Sequence, residues 1–330
     1  MIYYEKIYNI ILYLNFIYYY QNYINKKGLL IKSIIYFLLI IFFNSTYNTS
    51  KKYKEIKIAL CTMGKNENLY VKEFIDYYIN LGIDNIFIYD DNDKYTEKIS
   101  DIIDIKQKKY IKIFENIKNK IFNQSDAFTD CYQKNNKVFD WILMLDMDEY
   151  LYIEKDTLKN YLLNPIFNKC DFIKFHWVHP TDNNQIHYEN KSLFERFKKP
   201  YKKSPFIKSI IRGNISNLKY WVHSPYKSTL RNITCNNVGK IIKYRNINFE
   251  ANPKINIKKA YIIHFNYKST EEYIKKIKRG YSNWFGNKYN NFIKSKIKDY
   301  FRDNIITKDK INYFERELNL NLDIYKMLYF

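Results

Sequence analysis

No two of the four cysteines, Cys61, Cys131, Cys170 and Cys235, stand at Cys-x-x-Cys spacing. That excludes a zinc knuckle or a dense disulfide framework. One or two disulfides in an oxidising lumen and four buried thiols both remain open. There is no Gly-x-x-x-x-Gly-Lys-Ser/Thr loop and no Gly-x-Gly-x-x-Gly turn, so kinase and dinucleotide readings lack support. Glycine (7) and proline (6) are scarce in the 330 residues, alanine too, while Lys, Asn, Ile and Tyr crowd the chain. The composition is that of a biased genome filling permissive positions. It also tempers the formal net charge of +21. Such an excess invites a nucleic-acid partner, but the lysines are scattered rather than gathered into a block. The sequence therefore points to no nucleic acid, while the charge suits nucleotide phosphates or an anionic membrane surface. A hydrophobic content of 46% is ample for a core and excludes global disorder.

An unbroken apolar run of membrane-spanning length is also missing. Ile7 to Tyr20 and Leu29 to Phe43 are apolar but flank a polar gap at Lys26 and Lys27, and Lys32 interrupts the second stretch. This falls short of the ~20 residues of a standard span, although Lys32 near one end can snorkel. No small-residue cleavage site follows Phe43, which favours a retained signal-anchor over a cleaved leader. The expectation is residues 1–50 as an N-terminal apolar segment that anchors the chain in a membrane, with Asn44 to Ser50 as linker. An apolar helix packed on the domain is the competing reading.

From Glu55 onwards strands and helices alternate. Ile56 to Cys61 reads as a strand, and Glu67 to Leu81 as a helix with Leu69, Phe74, Tyr77, Tyr78 and Leu81 on one face. Gly82 ends it. Strands follow at Asn85 to Tyr89 and Tyr110 to Phe114, then a helix at Gln124 to Asn135 and a continuous apolar strand at Trp141 to Leu145. The pattern predicts an α/β fold with a mostly parallel central sheet and flanking helices. Ligands of such sheets sit beyond the carboxyl ends of the strands, where Asp90, Asp91 and the cluster after Leu145 fall.

Leu143-Met-Leu-Asp-Met-Asp-Glu-Tyr-Leu151 is the most informative stretch. Period-two spacing lets Asp146 and Asp148 project to one side if the chain stays extended. Two hard oxygen donors with positions left open suit Mg²⁺ or Mn²⁺ on substrate phosphates. Glu149 adds a third carboxylate. A solvated acidic turn is the bland alternative.

Four segments, taken in order, resemble glycosyltransferase family 92 and related family-2-like enzymes. They are Cys61-Thr-Met-Gly-Lys-Asn-Glu67, Phe87-Ile-Tyr-Asp-Asp-Asn92, Leu145-Asp-Met-Asp-Glu-Tyr-Leu151, and His264-Phe-Asn-Tyr-Lys-Ser-Thr-Glu-Glu272 with Lys278-Arg279-Gly280. The resemblance implies a GT-A (Rossmann-like) domain over residues 51–281, with 282–330 as a helical extension. It implies a metal-dependent transfer, inverting, of a sugar from a nucleotide diphosphate donor (a UDP- or GDP-sugar) to a glycan hydroxyl. Under it, Glu67, Asp90 and Asp91 contact the base and ribose, while Asp146 and Asp148 hold the metal on the diphosphate. His264 completes the metal site or is a core histidine. Arg279 and Lys278 meet the diphosphate or lie on a helix face. A single-pass protein facing the Golgi or ER lumen is the matching location.

Other residues carry weaker signals. His176 and His179 invite a metal reading, but in a strand that spacing turns the rings to opposite faces. Trp177 is either an acceptor-sugar platform or core. His223 either lines the site or sits in a loop. Glu195 is the candidate catalytic base, with an ordinary surface glutamate as the alternative.

Overall fold

The computed structural model describes residues 13–15, 55–93, 95–115, 123–199, 201–227, 232–242, 251–252, 254–279, 287–320 and 322. Met1–Glu55 and Ile56–Phe330 form separate units. In the first, residues 13–15 are described as one helical piece, and beyond them only Glu55. The rest of the expected anchor and linker lies outside the described residues. Among the described residues, no helix is long and apolar enough to cross a membrane.

In the second unit the chain runs through β1 (Ile58–Gly64), α1 (Val71–Leu81), β2 (Asn85–Asp90), α2 (Ile99–Ile102), α3 (Ile105–Lys108) and β3 (Ile111–Glu115). Next come α4 (Gln124–Asn135), β4 (Trp141–Met144), β5 (Glu149–Ile153), α5 (Leu158–Leu163), β6 (Phe172–His179) and α6 (Leu193–Arg196). The remainder is β7 (Lys202–Arg212), β8 (Lys219–Tyr220), β9 (Pro225–Lys227), β10 (Thr234–Asn236), β11 (Ala260–His264), α7 (Thr270–Arg279), α8 (Asn287–Asp303) and α9 (Lys308–Leu318).

The central sheet has the order β3-β2-β1-β4-β7-β6-β11-β5, with β10 added to β6. The central strands β1 and β4 are buried along almost their whole length because both faces are covered. Alternate residues serve different cores: Ile58 and Leu60 of β1 join Trp141 and Leu143 of β4 on one face. Ala59 and Cys61 join Ile142 and Met144 on the other. Val71, Phe74, Ile75 and Tyr78 dock α1 on the first face, and Ala127, Phe128, Cys131 and Tyr132 dock α4 on the second. The helix begins later than the apolar spacing predicts, leaving Leu69 63% exposed before its first turn. Gly82 closes it at φ 101°, a left-handed conformation that glycine adopts without a Cβ penalty.

The sheet is mostly parallel, as expected, but not purely so: β5 and β7 run against the other strands. β3, β2, β1 and β4 are parallel, but β7 runs antiparallel to both β4 and β6, and β5 antiparallel to β11. The sheet is mixed.

Both cysteine pairs are joined: Cys61 of β1 to Cys131 of α4, and Cys170 to Cys235 of β10. The first clamps helix to sheet, which answers what the spacing left open. Helices α7, α8 and α9 share a third core built on Tyr267, Tyr273, Ile277, Ile297, Tyr300 and Phe314. Lys310 and Asp182 are ion-paired at 2.6 Å inside it, with the Tyr300 hydroxyl on the same carboxylate.

Candidate active site

A cleft of about 350 Å³ opens where β1 and β4 end, beside the end of β11 and the last turns of α7. It is lined by Glu67, Asp91, Asp146, Asp148, His264 and Arg279, together with Lys65, Gln124, Trp177, His223, Asn266 and Lys276. A neighbouring hollow of about 300 Å³ shares Glu67, Asn266, Lys276 and Arg279 and adds Tyr70, Lys268 and Glu272. Gly64 lets the strand ends close up: a Cβ there would stand 2.5 Å from Met147 Sδ.

Each carboxylate in the cleft carries a cation. Asp148 accepts from Lys276 Nζ at 2.8 Å and lies 3.4 Å from His264 Nε2. Burial alone would raise its pKa, but Lys276 and His264 outweigh that and hold the carboxyl well below the usual range. Asp146 takes Lys208 Nζ at 3.1 Å and the Gln124 amide. Lys208 is fully buried in β7; burial lowers its pKa, yet Asp146 and Glu149 raise it further still. Glu149 goes the other way, pushed well above the carboxylate range by burial, with Asp146 and Asp148 adding to it. Its Oε2 accepts the Asp146 N–H at 3.0 Å, and its Oε1 has no hydrogen-bond partner among the described residues. Glu149 thus props the Asp146 backbone from below.

Glu67 is gripped by Lys268 at 2.8 Å and Arg279 at 3.0 Å. Burial raises its pKa, and the two cations bring it back below the ordinary value. Asp91 meets Lys65 at 3.8 Å. Asp90 is not among the cleft-lining residues: its two oxygens accept the N–H groups of Asn92 (2.9 Å) and Ile99 (2.8 Å), shaping the turn beneath. Glu195 is also outside the cleft. It caps α6 by accepting the Ser192 N–H at 3.1 Å and hydroxyl at 3.0 Å, the capping-box arrangement. Lys278 pairs with Glu317 at 3.0 Å on the exposed side of α7. Lys276, three residues before Arg279 and hence on the same helix face, is the lysine in the cleft. Sequence reasoning missed Lys276, Lys208, Lys268 and Gln124. The signal for Lys208 was a lone charge inside the apolar run Ile207 to Ile211.

The histidines separate clearly. His176 uses both ring nitrogens, Nε2 on the Asn252 carbonyl at 3.1 Å and Nδ1 accepting the Asn256 N–H at 3.3 Å. It is a structural pin. Trp177 and His264 touch, with ring centroids 4.4 Å apart, and His264 Nδ1 is buried with no hydrogen-bond partner among the described residues. Among the described residues, no three His, Cys, Asp or Glu side chains converge on a point that would hold a metal ion. Asp148 and His264 are two adjacent donors of suitable chemistry. Mg²⁺ and Mn²⁺ sites commonly use one or two protein ligands and complete their shell with phosphate oxygens and water, so this pair fits such an ion when a diphosphate brings the rest.

Fold and cleft together define an α/β protein whose ligand site lies beyond the strand ends, with carboxylates and cations interleaved. The chain belongs to glycosyltransferase family 92, whose family model matches residues 54–308. A family 92 protein of Oryza sativa subsp. japonica is 24% identical over 124 residues, 36% of this chain and 21% of the relative. One of Ricinus communis is 26% identical over 114 residues, 32% of this chain and 20% of the relative. These matches thus span about a fifth of the relatives' length. Among solved structures, S. aureus TarS 1-349 is similar over 82% of this chain and 77% of that one, at 12% identity and a TM-score of 0.35.

Proposed function

We propose that the protein is a glycosyltransferase moving a sugar from a nucleoside diphosphate donor, a UDP- or GDP-sugar, to a hydroxyl of a glycan or glycoconjugate. The observation that carries the reading is the convergence of Asp146, Asp148, His264, Lys276 and Arg279 on one cleft at the strand ends, in a chain of this family. The chemistry needed there is stabilisation of negative charge as the diphosphate departs. Lys276 and Arg279 face the cleft and supply fixed positive charge; Arg279 adds a fork that matches phosphate oxygens. Glu67, held rigid by Lys268 and Arg279, and Asp91 present carboxylates to the hydroxyls and N–H groups of a nucleoside. Asp148 and His264 would hold Mn²⁺ or Mg²⁺, a Lewis acid on the leaving diphosphate, while Asp146, fixed by Lys208 and Gln124, adds negative charge on the same wall. Inversion, by attack opposite the diphosphate, is the stereochemical course we assign. The two disulfides support folding in an oxidising compartment, in keeping with a lumenal enzyme held to a membrane by its N-terminal segment.

Calorimetry with UDP and GDP, with and without Mn²⁺, tests the reading directly. Metal-dependent binding that disappears in D146A/D148A is expected. No binding of either nucleotide, or full transfer activity in the double variant, would overturn it.

A further inference from the structure

With Glu195 capping a helix outside the cleft, the acceptor's proton needs another destination. Two rings line the cleft, Trp177 and His223, and a third, Phe206, packs against both. Their centroids lie 5.0 Å (Trp177–His223), 5.4 Å (Trp177–Phe206) and 6.0 Å (Phe206–His223) apart, the last pair stacked at 28°. Trp177 is 8% exposed, and its indole N–H has no hydrogen-bond partner among the described residues. An unpaired buried donor of this kind costs stability unless something else accepts from it.

His223 is set by a different bond. Its Nδ1 stands 3.1 Å from the Ile207 carbonyl. A carbonyl oxygen only accepts, so Nδ1 carries the hydrogen, and in the neutral ring Nε2 is left as a bare acceptor. Burial, with Lys208 adding, pushes the ring down to about 3, so it stays neutral. The flanking backbone is fixed on both sides. The Val222 carbonyl accepts from Lys208 at 2.9 Å, and the His223 carbonyl accepts from Tyr220 at 3.0 Å and from Ser209 at 3.3 Å. A neutral imidazole of defined tautomer, on a pinned backbone at the cleft wall, leaves an acceptor nitrogen of the kind a general base needs.

We propose that the recess of Trp177, Phe206 and His223 is the acceptor subsite, and that His223 Nε2 takes the proton of the attacking sugar hydroxyl. The proposal rests on the transferase reading above. The acceptor is a pyranose whose C–H face lies on the aromatic rings, with one hydroxyl accepting from the Trp177 N–H. In the reaction the acceptor oxygen forms its bond to the anomeric carbon and its proton passes to Nε2. The bond from that carbon to the diphosphate oxygen breaks, the electron pair leaving with the diphosphate. The imidazolium then returns its proton to water.

The test uses the full chain with UDP- and GDP-sugars and a panel of methyl glycosides as acceptors. H223N can retain a donor towards the Ile207 carbonyl but has nothing at the Nε2 position. It is expected to lower kcat for transfer by about 100-fold or more, with UDP or GDP affinity within about threefold of wild type. ¹⁵N NMR of the wild type should show Nε2 unprotonated at neutral pH. W177F keeps a ring face and deletes the N–H, and should raise acceptor KM by about tenfold with donor binding unchanged. Should H223N fail to fold, W177F and the NMR tautomer carry the test. Transfer by H223N within about threefold of wild type, or a protonated Nε2, overturns the inference alone. Failure of the wild type to bind any nucleotide overturns the proposed function and this inference with it.

Discussion

Arg196→Met should be among the most damaging single changes away from the cleft. The guanidinium is fully buried and pairs with Glu272 at 2.6 Å. It also donates to Tyr70 Oη at 2.7 Å and to Gln185 Oε1 at 3.1 Å, and it stacks over the Phe197 ring at 4.7 Å. Removing it leaves Glu272 buried with Ser269 and Tyr70 as its remaining partners. Stranding one half of a buried pair costs roughly 3–5 kcal/mol. For a domain this size, each kcal/mol lowers the melting midpoint by about 2–4 °C, so a fall on the order of 10 °C is expected. Thermal and urea unfolding of wild type, R196M and R196M/E272Q supply the measurement. The double variant should lie between the other two, because it no longer buries an unpaired carboxylate. A loss under about 1 kcal/mol in R196M would refute the reasoning, since only a solvated ion pair is worth so little. Nucleotide affinity should fall as well: Glu272 lies in the first turn of the helix that carries Lys276 and Arg279 into the cleft.

Burial raises the Glu272 pKa, but the Arg196, Ser269 and Tyr70 hydrogen bonds outweigh it and leave a lowered value. Its contribution to stability should therefore be complete above the unfolded value of about 4.3 and be lost as pH falls through the lower folded value, a dependence absent from acid titrations of E272Q. The disulfides close loops of 70 and 65 residues, so C61S/C131S and C170S/C235S should each cost about 4 kcal/mol in the chain-entropy account, read by urea midpoints under non-reducing conditions. Lys276→Met removes a cation from the cleft and frees Asp148. UDP or GDP affinity should weaken about tenfold or more by calorimetry, and unchanged affinity would remove Lys276 from the diphosphate site. Lys278→Met, on the exposed side of the same helix, should leave affinity within about twofold.

Much of the fold was legible because it depends on local pattern. The apolar run of β4, the amphipathic spacing of α1 and the glycine at its end are all consequences of chain periodicity. So was the position of Asp146 and Asp148 at a strand end. Glu195 was read as a base or a surface glutamate, and only the structure shows it closing a capping box with Ser192. The antiparallel return of β7 was hidden because strand direction depends on which distant segment pairs with which. Lys276 was overshadowed by Lys278, since choosing between them requires knowing which side of α7 packs on Tyr267 and Ile297.

By itself the sequence determined the family, the alternation of strands and helices, and the carboxylates at the strand ends, since each is written in contiguous residues. The tertiary structure alone decided the partners: Lys208 under Asp146, Lys276 on Asp148, Arg196 on Glu272, and His223 beside Trp177. Those pairs join residues tens to more than a hundred positions apart. Burial then set their charge states, because a carboxylate or an amine withdrawn from water takes its pKa from whichever neighbour the fold supplies.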